Sequence, residues 1–358
     1  MKLSRRHFLV SGAALPFAVQ SKSARSATTK VRYLLTSPVP DVASAVHASI
    51  PKQLGYWNAA GIDVEVAPFS GSSGATQVVL AGRADFTMAS PEPLLAAKQE
   101  GGELLAVYNH TREAIYDIAV EESSPIKKLE DLKGKTIGVT NLSSGAYPFA
   151  KAMLSTAGID PDKDVKWLPV GLGPQTANFL QSKQVDALAL WDYAYAVLEN
   201  LGFNFRHFTT PEMSSLLSFM LVGNEAFIAK NPEAAMKMAQ GIAKAVIFTQ
   251  TNPEAAVQLH WKAFPATKPT NVPEDVALKH AVHVLNSRLD KYRIEGRKTP
   301  KWGFFEKEDW ENTQNFYEKI GLIKKKIDVN LYYTNRFVEQ IADFDPKEIV
   351  ASAKSFKL

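Results

Sequence analysis

Two serine- and glycine-rich turns carry most of the chemistry this chain offers. Ser70-Gly-Ser-Ser-Gly74 and Asn141-Leu-Ser-Ser-Gly145 each lie between a short apolar run and the start of a helical pattern. A strand that turns directly into a helix leaves the first helical N–H groups without intrahelical partners. The helix dipole makes the same end attractive to an anionic or polar group. Taken singly, either turn is only a well-capped loop. Taken as a pair facing each other across a cleft, they would hold a small molecule, with Gly71, Ser72, Ser73 and Gly74 on one side and Asn141, Ser143, Ser144 and Gly145 on the other.

Other chemistries find little support. The chain has no cysteine, which removes disulfides, thiolate metal sites and a cysteine nucleophile. Neither a Gly-x-Ser-x-Gly elbow nor a His-Glu-x-x-His helix is present. Lys133-Gly-Lys-Thr136 resembles the end of a phosphate loop but lacks the upstream glycine, and reads as the start of a strand. His280 and His283 stand one helical turn apart without a third ligand nearby, and read as a polar helix face. No catalytic residue, metal or cofactor is expected.

The elements that must position the turns alternate. Strands are expected over 31–36, 63–68, 86–89 and 104–109, with helices after each loop, one of them capped by Asp41 and ended by Gly55. An apolar strand over 115–120 leaves this first unit. Strands at 136–139, 165–170 and 185–190 follow, with helices at 147–157, 175–182 and 193–201. Such alternation argues for α/β sheets with parallel strands. Leu80–Ser90 and Leu180–Leu190 share one grammar of helix end, turn, Asp and short strand, which points to two similar lobes. After a strand at 219–223 the chain turns helical, with starts at the near-identical Asn231-Pro-Glu-Ala-Ala and Asn252-Pro-Glu-Ala-Ala and helices over 274–287, 307–320 and 331–342. These helices are expected on lobe 1. The resulting division is 28–118 plus 217–358 for lobe 1 and 119–216 for lobe 2, hinged near 117–122 and 213–219.

Residues 1–27 read as a leader. Ser4-Arg-Arg-His-Phe-Leu9 precedes an apolar run over 8–19 that is too short to span a bilayer, and the paired arginines resemble a twin-arginine signal. The full sequence carries a net charge of +4. Loss of Lys2, Arg5, Arg6, Lys22 and Arg25 with the leader brings it to about −1, which gives no pull toward nucleic acid or anionic membrane. A chain with no cysteine cannot take a lipid on an N-terminal cysteine. The expectation is a periplasmic protein, exported by the twin-arginine route, soluble, monomeric and without a nucleic-acid partner.

Several stretches together resemble the periplasmic solute-binding proteins of ABC importers with the two-lobed type II fold, in the nitrate/sulfonate/taurine and thiamine-precursor branch. They are Gly55-Tyr-Trp-Asn-Ala-Ala-Gly-Ile-Asp-Val-Glu-Val66, Ala81-Gly-Arg-Ala-Asp-Phe86, Leu129-Glu-Asp-Leu-Lys-Gly-Lys-Thr-Ile-Gly-Val139 and the Val185-Asp-Ala-Leu strand that ends in an aromatic residue. The resemblance implies a ligand cleft between the lobes, closure around a solute and delivery to a membrane permease. It places contacts in the loops at strand ends: Ser37 and Pro38, Gly71–Gly74, Ser90 and Glu92, Asn141–Gly145, and Trp191, Asp192 and Tyr193. This agrees with the rule that such sheets bind at the carboxyl ends of their strands.

The solute is less legible. Backbone N–H groups and hydroxyls suit a sulfonate or carboxylate. No Arg or Lys belongs to the loop set, whereas Glu92 and Asp192 do, and an aminopyrimidine or amine would supply the donors they need. Trp191, Tyr193 and Tyr147 are available to stack on a planar ring. His47 and His110 lie near the cleft loops without ligand-like spacing and read as structural. A small polar organic molecule of sulfonate, aminopyrimidine or aromatic-acid type is expected in preference to nitrate. The rivals are an exported enzyme on the same fold, for which thiamine-pyrimidine-synthase chemistry would want cysteines, and a solute sensor.

Overall fold

The computed structural model describes residues 28–214 and 216–357. The expected leader, residues 1–27, lies outside the described residues.

Among the described residues, ten strands form two five-stranded sheets. The strands are β1 (Thr29–Leu34), β2 (Ile62–Ala67), β3 (Phe86–Ala89), β4 (Leu104–Thr111), β5 (Tyr116–Glu121), β6 (Thr136–Val139), β7 (Lys166–Pro169), β8 (Ala187–Trp191), β9 (Phe205–Phe208) and β10 (Phe219–Asn224). The first sheet runs β2-β1-β3-β10-β4 and the second β7-β6-β8-β5-β9. β1 is parallel to β2 and β3, and β6 is parallel to β7 and β8. In each sheet the fourth strand in this order is antiparallel to its neighbours. That strand, β10 in the first sheet and β5 in the second, is the one on which the chain arrives from the other sheet. β1 alternates, with Val31 and Tyr33 turned inward, while β3 and β8 are buried along their whole length, as strands covered on both faces must be.

The two sheets repeat one device at equivalent places. Asp85, just before β3, accepts a hydrogen bond from the Arg32 N–H of β1 at 2.7 Å, and its own N–H reaches the Arg32 carbonyl at 2.9 Å. Asp186, just before β8, does the same to Thr136 at 2.8 Å in both directions. The shared Asp-then-strand grammar therefore ties the centre of each sheet to its neighbour. It also explains Thr136 and the lysines before it as the start of a strand.

The helices after β10 include Pro232–Thr251, Pro253–Ala263, Glu274–Leu289, Lys307–Lys319 and Pro346–Ser355. They pack on the first sheet and on the segment Val42–His47, where Asp41 caps the turn by accepting from Ser44 N–H. The twin Asn-Pro-Glu-Ala-Ala starts differ in detail. Asn252 caps its helix through Ala255 N–H at 3.0 Å, whereas Asn231 also ends the preceding helix and turns its side chain back to the Phe227 carbonyl.

Three expected boundaries move. β5 pairs with β8 from Tyr116 and with β9 from Ile118, so it lies wholly in the second sheet, and the chain passes between sheets over 112–115 instead of 117–122. The expected helix over 331–342 shrinks to Val338–Ile341, because Tyr333 bridges to Ala106 and the Asn335 side chain binds both backbone groups of Phe305, which hold the chain extended there. The helix expected to end at 287 runs on to Leu289 and so includes Arg288.

Candidate ligand cleft

The cleft lies where the carboxyl ends of the parallel strands of both sheets meet. Its walls are Thr36, Pro38, Gly71 and Ser72 from the first lobe, and Thr140, Asn141, Ser144, Gly145, Trp191 and Tyr193 from the second. Ile115 and Tyr116 of the first crossing, Phe219 of the return and Arg288 of the helical extension close the back. The cavity volume is about 30 Å³, room for a water or two.

The two Ser/Gly turns meet directly. Gly71 stands at φ +79°, and a Cβ there would lie 2.4 Å from the Ser143 carbonyl oxygen. Only glycine both takes that backbone conformation and leaves room for the opposite turn. Ser73 N–H donates to the Ser143 carbonyl at 3.4 Å, Ser143 Oγ to the Ser70 carbonyl at 3.3 Å, and Asn141 Nδ2 to Ser70 Oγ at 3.5 Å. A Cβ on Gly145 would come within 2.5 Å of Ser90 Oγ and 2.6 Å of the Tyr116 hydroxyl, a second close approach. Asn141 and Ser144 brace their own turn, Asn141 Oδ1 accepting from Ser143 N–H and Oγ and Ser144 Oγ accepting from Ala146 N–H. On the other side Ser72 Oγ accepts from Ser90 N–H at 3.3 Å. The backbone N–H groups of Ser72 and Gly145 have no protein acceptor.

A helix–helix seam joins the lobes on another side. The helix Asp192–Glu199, which follows β8, lies along the helix Glu274–Leu289. Ala196 is buried with Ala277, Ala281, Val284 and Leu285. Asn200 Nδ2 donates to the His280 carbonyl at 3.0 Å, and His283 Nε2 meets Glu199 Oε2 at 2.8 Å. At the cleft end, Arg288 Nε and Nη2 bind the two oxygens of Asp192, each at 2.5 Å, and Lys291 Nζ stands 3.3 Å from the same carboxylate. Burial opposes the Arg288 charge, and the pull of Asp192 outweighs it, holding the guanidinium above its ordinary range. The guanidinium lies 5.0 Å from the Tyr193 ring centre and 5.8 Å from that of Phe219. Burial pushes the Asp41 carboxyl up to about 6, against the opposing pull of the Tyr193 hydroxyl, Ser44 N–H and Arg288.

Beneath Arg288, Tyr33, His47, His110, Phe219 and Tyr292 form a buried aromatic group. Tyr33 OH and His47 Nδ1 are 2.7 Å apart, and the His110 and Tyr292 ring centres are 4.5 Å apart. Burial, then Arg288 and His260, lowers His47 to about 3; burial, then His47 and Arg288, puts His110 well below its ordinary value. Both imidazoles are therefore neutral beside a buried cation.

Of the residues the sequence nominates, Pro38, Gly71, Ser72, Asn141, Ser144, Gly145, Trp191 and Tyr193 line the cavity. Ser37, Ser73, Gly74, Ser90 and Ser143 stand immediately behind or beside it: Ser73 and Ser143 join the turns, Ser90 backs Gly145, and Gly74 packs on Phe69. Three others have different work. Glu92 is buried behind the wall, where Tyr317 OH donates to it and burial raises its carboxyl. Asp192 faces Arg288 instead of the cavity. Tyr147 packs edge-on against Trp167, 5.0 Å between centres, under Lys151, away from the cleft. No Arg or Lys belongs to the strand-end loops, but Arg288 reaches the cavity from a helix far along the chain. A charged residue in the last turn of an apolar-faced helix was the available signal. Among the described residues no group of His, Asp and Glu is arranged to hold a metal, and His280 and His283 serve the seam.

A sequence model of the family described as NMT1/THI5 like matches residues 46–256. A riboflavin-binding protein of Chloroflexus aurantiacus is 24% identical over 329 residues, covering 91% of each chain. A 4-amino-5-hydroxymethyl-2-methylpyrimidine phosphate synthase of Legionella pneumophila is 20% identical, covering 84% of this chain and 90% of its own. Among solved structures, the alkanesulfonate-binding protein of Xanthomonas axonopodis pv. citri, bound to MOPS, superposes with a TM-score of 0.63 at 17% identity, covering 86% of this chain and 99% of that one.

Proposed function

This chain belongs to the NMT1/THI5-like family, whose model matches more than half of it, and on that premise we propose that it is an extracytoplasmic receptor for a small polar organic solute. The two-lobed binding-protein fold is shared with solute-binding proteins of ABC importers. One observation carries the reading: two Ser/Gly turns, one from each lobe, meet over a cavity at the strand ends of both sheets. A solute held there touches both lobes, so its binding energy goes into holding them together.

The lining suits a flat, polar guest. Trp191 and Tyr193 offer ring faces, and the free N–H groups of Ser72 and Gly145 offer donors from opposite sides. Solutes of sulfonate, aminopyrimidine or aromatic-acid type all fit this description. The closed receptor presents both lobes to an inner-membrane permease, as a monomer, after export by the twin-arginine route; no helix among the described residues is long and apolar enough to cross a membrane. The resemblance to a pyrimidine phosphate synthase keeps an enzyme reading in view, but the chain has no cysteine for thiolate chemistry. The test is a thermal-shift screen of these solute classes, followed by scattering with and without the best binder. Compaction on saturation, with the solute recovered unchanged, is expected. A solute recovered chemically altered would favour the enzyme, and saturation with no change in dimensions would contradict the clamp.

A further inference from the structure

The cleft is rich in donors and poor in acceptors. Trp191 Nε1, a donor only, is buried with no partner, as is the Thr140 hydroxyl. The N–H groups of Ser72 and Gly145 have no protein acceptor. Arg288, 2% exposed, directs Nε and Nη2 at Asp192 and lines the cavity. On the acceptor side, both oxygens of Asp192 are taken by Arg288 and Lys291 and Asn141 Oδ1 by Ser143, while Glu92, whose Oε1 accepts from Tyr317 and whose Oε2 has no partner, lies behind the wall and outside the cavity lining. Buried donors without acceptors are disfavoured unless a guest supplies them. An acceptor-rich guest is the complement of this wall.

The strongest of these donors is already engaged, and by the other lobe. Arg288 belongs to the helical extension of the first lobe, while Asp192 opens the helix after β8 in the second. Their contact is the two-pronged arrangement that a guanidinium makes with any carboxylate or sulfonate. The Tyr193 and Phe219 ring centres lie 5.0 and 5.8 Å from the guanidinium. Lys291, which donates to the Ala114 carbonyl at 2.7 Å, also stands 3.3 Å from Asp192 Oδ2, the oxygen that Arg288 Nε binds, so the carboxylate keeps a second cation when the first is drawn away.

We propose that Arg288 is the specificity-determining residue of the cleft, binding the acid group of an organic oxyanion, and that Asp192 is an internal stand-in for that group which a guest must displace toward Lys291. This rests on the receptor reading and deepens it. The population in which Arg288 is held by Asp192 lowers the apparent affinity for an acid by the same fraction. The stand-in therefore rejects weakly bound anions.

The probes are benzoate, benzenesulfonate and a neutral aminopyrimidine, titrated calorimetrically into the full folded chain. Asp192→Asn is expected to tighten the matching acid roughly tenfold by removing the competitor, and Arg288→Gln to abolish acid binding. Whichever acid gains more identifies the guest as carboxylate or sulfonate. Weaker or unchanged acid binding in Asp192→Asn overturns the proposal, as does failure of both acids to bind either protein. Should Asp192→Asn fold poorly, the wild type still decides the matter: the Arg288 Nε–H resonance must shift on saturation with the acid, and an unmoved resonance overturns the proposal. Tight binding of the aminopyrimidine with no acid binding would remove the proposal and leave the receptor reading standing. Conversion of a probe would remove the receptor reading itself.

Discussion

The lobes touch at two places of opposite character. At the gate, the turns 70–74 and 141–145 meet through hydrogen bonds of 3.3 to 3.5 Å between partly exposed groups. Contacts of that length in water contribute a few tenths of a kcal/mol each at about the most. At the seam, the helices Asp192–Glu199 and Glu274–Leu289 bury alanines, valine and leucine together and end on a buried two-pronged ion pair. Removing one partner of such a pair costs about 3–5 kcal/mol. The difference teaches which contact is the weaker: the gate yields before the seam does.

A large expected effect is on pH. His47, lowered to about 3, and His260, lowered to about 4 chiefly by burial, stay neutral in the fold, as does His110. Unfolded, each takes up a proton below about 6.5. Stability from these groups is thus complete above that pH and is lost as pH falls. Asp41, raised to about 6, has the opposite sign, since the folded state protonates it first and gains as pH drops. Asp309, raised to about 6 by burial, and Glu92, raised by burial, share the sign of Asp41, so the balance is about one proton and urea stability should fall by about 1 to 2 kcal/mol per unit between pH 6 and 5. His47→Gln should flatten that slope by one proton, and a flat wild-type profile would break the assignment.

Next in size, Arg288→Met leaves Asp192 with only Lys291 and should lower stability by about 3 kcal/mol, read from the urea midpoint. The companion Asp192→Asn in the same chain should recover most of it. A loss below about 1 kcal/mol would make the seam no stronger than the gate. Gly71→Ala should leave the fold within about 1 kcal/mol yet weaken solute binding about tenfold, because the added Cβ meets the Ser143 carbonyl at 2.4 Å only when the gate is shut. The smallest effect belongs to Ser143→Ala, which removes one 3.3 Å cross-gate bond and should change affinity about twofold.

Much of the fold was legible, because the alternation of strand and helix and the paired Asp-then-strand segments are local patterns with local causes. The gate was legible for the same reason: a Ser/Gly turn between strand and helix shows its own geometry. What stayed hidden depended on partners distant in sequence. β5 reads as an apolar strand, but only its pairing with β8 and β9 assigns it to the second sheet. Glu92 and Asp192 read as cleft acids, but Tyr317 and Arg288, 225 and 96 residues further along, claim them. Arg288 itself sits one residue past the expected helix end, where no strand-end rule would look.

The most direct measurement is amide hydrogen exchange of the free protein, comparing 71–75 and 143–147 with 194–199 and 280–288. The account predicts fast exchange at the gate, slowed on addition of a bound solute, and slow exchange at the seam in both conditions. Seam amides that exchange as fast as those of the gate, or that gain protection in step with them, would contradict it.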